Sequence, residues 1–211
     1  PPALKVIATS DPIAPGIDMP SRNRIFSNSA YRWVHDVLAP TDAATANDEA
    51  RWREMAEDWY RTGRRYREFP TLPGRASAIF RSWLNHPSYD RFWQKWLPFG
   101  DEFADIDIPV LTVTGYYSAG QTGALSYFTQ HHQHAARADH ALLIGPFDSR
   151  SVEHGPSPML RELTLDAVAR VDVNEVRYEW FAYALQAAER PMLPSANLNY
   201  QLVGADEWRH E

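Results

Sequence analysis

The chain has 211 residues and a mass of 24.1 kDa, with 44% apolar and 13% aromatic residues; this suits one large domain or a domain and a half and excludes intrinsic disorder and collagen-like structure. Twenty-one Lys and Arg stand against 27 Asp and Glu, a net charge of −6, and because the cations are scattered the long-range field repels a polyphosphate, which argues against a nucleic-acid partner. No window approaches about 18 uninterrupted apolar residues and no basic start precedes an apolar run, so neither a membrane span nor a secretory signal is visible; without cysteine there is no disulfide, thiolate metal site or cysteine nucleophile, and reducing and oxidising compartments both stay open.

The first organised segment, Ala3 to Ala8, is a short apolar run broken by Asp11, Pro12, Pro15 and Gly16, and it reads as a buried strand running into a loop. From Asp48 to Arg67 the residues Trp52, Met55, Ala56, Trp59, Tyr60 and Gly63 form one stripe of an amphipathic helix. Asn47 suits its N-cap, Asp48 and Glu49 its first turn, and Arg64, Arg65 and Arg67 its last, the charge order that the helix dipole favours. After the breaker Pro70 to Gly74, Ala76, Ile79, Phe80, Trp83 and Leu84 repeat the helical spacing until His86-Pro87. Ser88 then caps a third, short helix with Tyr89, Phe92, Trp93, Trp96 and Leu97 on its apolar side. Six of the eight tryptophans lie between Trp33 and Trp96, which makes this stretch a compact aromatic helical layer.

The pattern changes at Ile106. Ile108 to Thr114 is β-branched and continuous, as in a strand buried on both faces, and Gly115 ends it. A helix follows from Gln121 to His132, then a second such strand, Ala141 to Ile144, with a Gly145-Pro146 stop. Strand, helix and strand within about forty residues make a βαβ unit with a parallel sheet. Asp172 and Glu175 stand in capping-box order before a final helix that Pro191 and Pro194 bound, and Leu198 to Val203 alternates weakly, as an edge or entry strand does.

In such a sheet, chemistry gathers in the loops after the carboxyl ends of the strands, which directs attention to Gly115–Gly120 and Gly145–Ser149. Ile108-Pro109-Val110-Leu111 through Thr114-Gly115-Tyr116-Tyr117, then Leu143-Ile144-Gly145-Pro146-Phe147, resemble the last two catalytic strand ends of the X-prolyl dipeptidyl-peptidase and cocaine-esterase-like (CocE/NonD) serine hydrolases. Trp83-Leu84-Asn85-His86-Pro87 with Tyr89-Asp90 and Trp93 resembles the end of that family's helical cap, Trp180-Phe181 its closing helix, and Tyr200 to Trp208 the entry into its C-terminal jelly-roll domain; Pro2 to Ile7 fits the strand after its nucleophile helix. The likeness is collinear over nearly the whole chain.

The resemblance implies an α/β fold, the C-terminal part of an α/β-hydrolase sheet with an inserted helical cap. Residues 1–21 and 106–194 would be the hydrolase core, 22–105 the cap and 195–211 the entry to the jelly-roll. It implies a Ser-Asp-His triad that cleaves small-molecule esters or amides, or peptides, through an acyl-enzyme, with no cofactor or metal. The G-x-S-x-G elbow that carries the nucleophile would lie roughly fifteen residues before Pro1, outside the chain. The family's Asp position is occupied by Ser118 and its His position by Ser149; a hydroxyl carries no charge to stabilise an imidazolium and is no base near neutral pH. Tyr116, Tyr117, Phe147, Trp52, Trp59, Trp83 and Trp93 are the candidates to line the acyl pocket. With so few strands the sheet is expected to leave apolar surface open, to be covered by the remainder of a longer parent protein or by self-association.

Competing assignments of the same residues are weaker. Ser118 as an elbow nucleophile, with Asp148 and His154 downstream, conflicts with Tyr116 two residues before it, where the strained turn needs a small residue. His154 in the base position, His131, His132 and His134 as metal ligands, and Asp101, Glu102, Asp105 and Asp107 as a calcium site each compete with an ordinary loop, helix-end or solvated-linker role. A non-catalytic module that keeps the fold and binds a small apolar ligand or a protein is the alternative to a hydrolase.

Overall fold

The computed structural model describes residues 3–38, 49–69, 75–154 and 157–211, except for the side chains of Leu38, Arg75, Glu153 and His154. The expected cap Asn47, the residue Asp48, the breaker Pro70 to Gly74, Gly155 and the His154 side chain therefore lie outside the described residues. The chain forms two compact units, one of residues 15–97 and the other of residues 1–14 with 98–211.

Residues 15–97 are built around aromatic rings. Helices α1 (Asn28–Trp33), α2 (Glu49–Thr62) and α3 (Arg75–Leu84) contribute Tyr31, Trp52, Ala76, Phe80, Trp83 and Leu84 to one buried cluster with Phe69 and Trp93. The helical spacing read from the sequence accounts for α3 and for α2 as far as Thr62, but Arg64, Arg65 and Arg67, expected in the last turn of α2, lie beyond its end at the Gly63 turn, and Arg61 stands in that turn instead; α1, which continues as a π-helical turn over Val34–Leu38, has too short an apolar stripe to announce itself. Tyr31 lies edge-on to Trp52 and to Phe69, 5.9 and 5.4 Å between ring centres, the geometry that brings positive ring edges to negative faces. Its phenol is satisfied by Ser77 at 2.8 Å. The expected third helix from Ser88 is not a helix but a string of turns. Asp90 explains the difference: its carboxylate accepts from the Phe92 N–H at 2.9 Å and meets His86 Nδ1 at 2.8 Å, while the Trp93 indole donates to the His86 carbonyl at 2.8 Å. These local bonds replace a helical ladder.

The other unit holds a five-stranded sheet. β1 (Ile7–Ser10), β2 (Val110–Gly115), β3 (His140–Gly145) and β4 (Leu198–Leu202) are neighbours in that order and parallel; β5 (Glu207–His210) returns antiparallel to β4. The register sets Ile7 opposite Val110, Val113 opposite Leu143, and Leu143 opposite Asn199. Helix α4 (Gln121–His134) joins β2 to β3, and α5 (Val173–Gln186) precedes the β4–β5 hairpin. Every residue of β2 is buried, as its unbroken β-branched run requires. Leu111, Val113, Ala141 and Leu143 pack against Val173, Val176 and Trp180 of α5, while Thr112 and His140, on the alternate positions, bond toward His131 of α4. Asp172 caps α5 by accepting from the Asn174 N–H at 2.8 Å. At the other end α5 stops at Ala187, which adopts a left-handed φ of 52°, before Pro191 is reached. The segment Gly100–Asp105, an acidic linker by composition, is a 3-10 helix whose Glu102 caps the Phe99 N–H at 2.9 Å.

Candidate active site

The parallel strands end together, and their loops meet. Ser118, two residues beyond Tyr116 in the loop after β2, is 9% exposed; Ser149 follows β3 and is exposed. Their hydroxyl oxygens are 3.2 Å apart. The structure thus brings together the two serines singled out in the sequence, and it adds a residue that sequence reasoning treated only as a strand breaker. Asp11, immediately after β1, takes a left-handed φ of 46° and keeps its N–H on the Val113 carbonyl at 2.9 Å, which turns its carboxylate across the end of β2. Oδ1 accepts from Thr114 Oγ1 at 2.8 Å, and Oδ2 accepts a short bond from Ser118 Oγ. Gly120 makes this approach possible: a Cβ there would stand 2.7 Å from Asp11 Cβ and 2.8 Å from its carbonyl oxygen. The signal available in the sequence was an Asp at the carboxyl end of a strand that belongs to a parallel sheet.

The direction of these bonds is forced. An ionised carboxylate only accepts, so the single Ser118 hydroxyl proton points at Asp11. Ser118 Oγ must then accept from Ser149 Oγ–H, and it also accepts from the Gly120 N–H at 3.1 Å. Both of its lone pairs are engaged, an arrangement that suits a relay and leaves no electron pair for nucleophilic attack. Asp148 stands apart from the relay. Its carboxylate accepts from the Ser151 and Arg150 N–H groups at 2.8 and 3.1 Å and from the Ser151 hydroxyl at 3.0 Å; these bonds, that from the Ser151 amide first, hold it below the usual carboxylate range, the signature of a turn cap.

The aromatic candidates divide. Phe147 is buried and folds back over the strand end, where a Cβ on Gly145 would meet its ring at 2.3 Å; its carbonyl receives the Tyr117 N–H at 3.0 Å, which locks the two loops to each other. Tyr117 is half exposed. Tyr116 donates its hydroxyl to the Gln201 carbonyl at 2.9 Å, and burial, then the neighbouring Tyr200, raise its phenol above the ordinary range. In the other unit, Trp52, Trp83 and Trp93 are buried within the aromatic cluster, and Trp59 packs against it.

The histidines near the end of α4 form a buried chain. His131 Nδ1 and His140 Nδ1 are 3.1 Å apart, His140 Nε2 is 2.9 Å from Thr112 Oγ1, and His131 Nε2 is 3.0 Å from the Ile106 carbonyl. The carbonyl can only accept, so His131 donates from Nε2, receives from His140 at Nδ1, and His140 receives from Thr112 at Nε2. The bonds fit neutral rings throughout. Burial lowers the pKa of His140 to about 3, with His131 and His132 adding to the effect, and burial likewise lowers that of His131. His134 instead meets Asp101 at 3.1 Å at the surface. Among the described residues no cluster of His, Asp or Glu is arranged to hold a metal ion, and no helix is long and apolar enough to cross a membrane.

A mainly parallel sheet with one antiparallel edge strand and helices packed on it is an α/β fold, and it fits a partial α/β-hydrolase fold. The family model of X-Pro dipeptidyl-peptidase (S15 family) matches residues 1–148, and the chain belongs to that family. No curated protein matches the chain. Among solved structures it is similar to an aminopeptidase from the marine sediment archaeon Thaumarchaeota archaeon, with a TM-score of 0.69 and 16% identity over 99% of this chain and 35% of that one. It is also similar to a CocE/NonD family hydrolase from Staphylococcus aureus, with a TM-score of 0.55 and 16% identity over 100% of this chain and 30% of that one. The chain therefore spans about a third of the length of the solved structures it matches.

Proposed function

We propose that this chain is the C-terminal part of the catalytic domain of a serine acyl hydrolase, together with its helical cap, acting on X-Pro peptides or related esters and amides. In this reading residues 22–105 are the cap, Ser118 and Ser149 occupy the acid and base positions of the triad, and the nucleophile is supplied from outside the chain. The observation that carries it is the pairing of Ser118 with Ser149 at 3.2 Å across the ends of β2 and β3, where a family that works by acyl transfer needs its acid and base to meet. The pair is bonded to a carboxylate and a backbone amide rather than to an imidazole; among the described residues no imidazole stands at the pair to act as general base, and the polypeptide is expected to be inert. Incubation with an activated ester and with a serine-directed fluorophosphonate tests this. The expected result is hydrolysis no faster than with denatured chain and no label; stoichiometric labelling of Ser118 or of any other serine would overturn it.

A binding role without catalysis is the second reading. A cleft of about 430 Å³ on α2 is lined by Arg51, Met55, Asp58, Trp59, Arg64 and Glu68, and the buried indole nitrogen of Trp59 has no hydrogen-bond partner among the described residues. Its lining is mainly apolar with charged side chains among it, which suits a small apolar ligand or a protein segment.

A further inference from the structure

The relay at the carboxyl edge of the sheet contains one carboxylate, and it comes from a strand other than the one the sequence pointed to. Asp11 is held on four sides: by its own N–H on the Val113 carbonyl, by Thr114 at 2.8 Å, by the short bond from Ser118, and by the close approach to Gly120. Two buried or nearly buried hydroxyls, on Thr114 and Ser118, spend their only protons on it. Ser118 Oγ in turn receives the Ser149 proton, so a continuous path leads from Ser149 to the Asp11 charge.

We propose that Asp11 is the positioning carboxylate of this site, moved from the loop after β2 to the loop after β1, with Ser118 as the hydroxyl bridge that carries its field to position 149. Of the acid and the base of an acyl-transfer triad the chain then lacks only the base. An imidazole at position 149 would be longer than serine, would donate one ring N–H toward Ser118 or Asp11, and would be stabilised in its protonated form by the carboxylate. This inference rests on the hydrolase reading for its chemistry but not for its test.

The test is an NMR titration of the imidazole introduced by Ser149→His, alone and combined with Asp11→Asn, in the protein that carries this chain. Among the described residues the other charges near the position are Asp148, with Arg161 acting on it, Arg150 and Arg177. Asp148 is committed to the Ser151 and Arg150 amides, and Arg177 to Ser10 Oγ and the Val152 carbonyl at 3.0 Å. All are common to the variants, so they cancel in the comparison. With Asp11 present the introduced imidazole should bind its proton about tenfold more tightly than an ordinary histidine, a rise of about one pH unit above 6.5. Asp11→Asn should abolish that rise, and adding Ser118→Asp to the Asp11→Asn, Ser149→His protein should restore it. If Asp11→Asn does not fold, Asp11→Ser supplies the same comparison. An imidazole whose titration is indifferent to Asp11 overturns the proposal, whether or not any variant turns over. Ester hydrolysis by the same variants bears separately on the hydrolase reading: coupling without turnover upholds the role of Asp11 and counts against an intact nucleophile.

Discussion

Acid should destabilise this protein through His140 before most of its carboxylates are protonated. The side chain is 2% exposed, its two ring nitrogens are committed to His131 and Thr112, and burial sets its folded pKa at about 3. In the unfolded chain the value returns to about 6.5. A histidine whose folded pKa is depressed stabilises the fold fully above the unfolded value, and that stability is lost as the pH falls from 6.5 toward 3, because only the unfolded state takes up the proton. Each pH unit in that window costs about 1.4 kcal/mol, so moving from pH 7 to pH 5 should cost about 2 kcal/mol through this residue alone. That is a large share of the roughly 5–15 kcal/mol that holds a domain together. The loss over this range needs only that the folded pKa lie below 5. His131, lowered by the same burial, adds a loss of the same sign. Urea titrations followed by tryptophan fluorescence at pH 7 and pH 5 measure the change; His140→Gln, which keeps hydrogen-bonding groups without a titrating ring, should flatten the pH dependence by about 2 kcal/mol even where it lowers stability at pH 7. A pH dependence identical in the two proteins, or a His140 ring resonance that titrates near 6.5, would refute the reasoning.

Replacing Asp172 by Ala removes the acceptor that the Asn174 N–H uses at 2.8 Å and should cost about 1 kcal/mol, read as a fall in melting temperature; an unchanged melting temperature would mean that water caps the helix equally well. β1 and β5 are the outer strands of the sheet, and Leu4, three residues before β1, is 42% exposed. The isolated polypeptide should therefore self-associate and bind a hydrophobic dye, whereas sedimentation at low concentration as a compact monomer with a cooperative melt and no dye binding would contradict this expectation.

What the sequence determined was local pattern and its consequences. The β-branched run over Ile108 to Thr114 and the apolar run over Ala141 to Ile144 demanded strands buried on both faces, and the helical stripe between them demanded a parallel pairing; β2, α4 and β3 follow. The stripe from Trp52 to Tyr60 and that from Ala76 to Leu84 were sufficient for α2 and α3. The rule that a parallel sheet delivers its loops to one edge pointed to Gly115–Gly120 and Gly145–Ser149, and within those loops it was the resemblance to the hydrolase family that singled out Ser118 and Ser149. Where local chemistry competed with pattern, pattern failed: the apolar spacing from Tyr89 to Leu97 fits a helix, but the Asp90 carboxylate takes the Phe92 N–H that a helix capped at Ser88 would bond to the Ser88 carbonyl. Asp11 and the histidine chain belonged to tertiary structure alone. Asp11 and Ser118 are 107 residues apart, and His131 reaches His140 only because α4 lies across the strand that follows it. Nothing in a one-dimensional pattern distinguishes an aspartate that breaks a strand from one whose carboxylate is folded over the next strand's end. That difference is made by a left-handed φ at Asp11 and by the missing Cβ of Gly120, which let two backbones close to a distance that no other side chain there would permit.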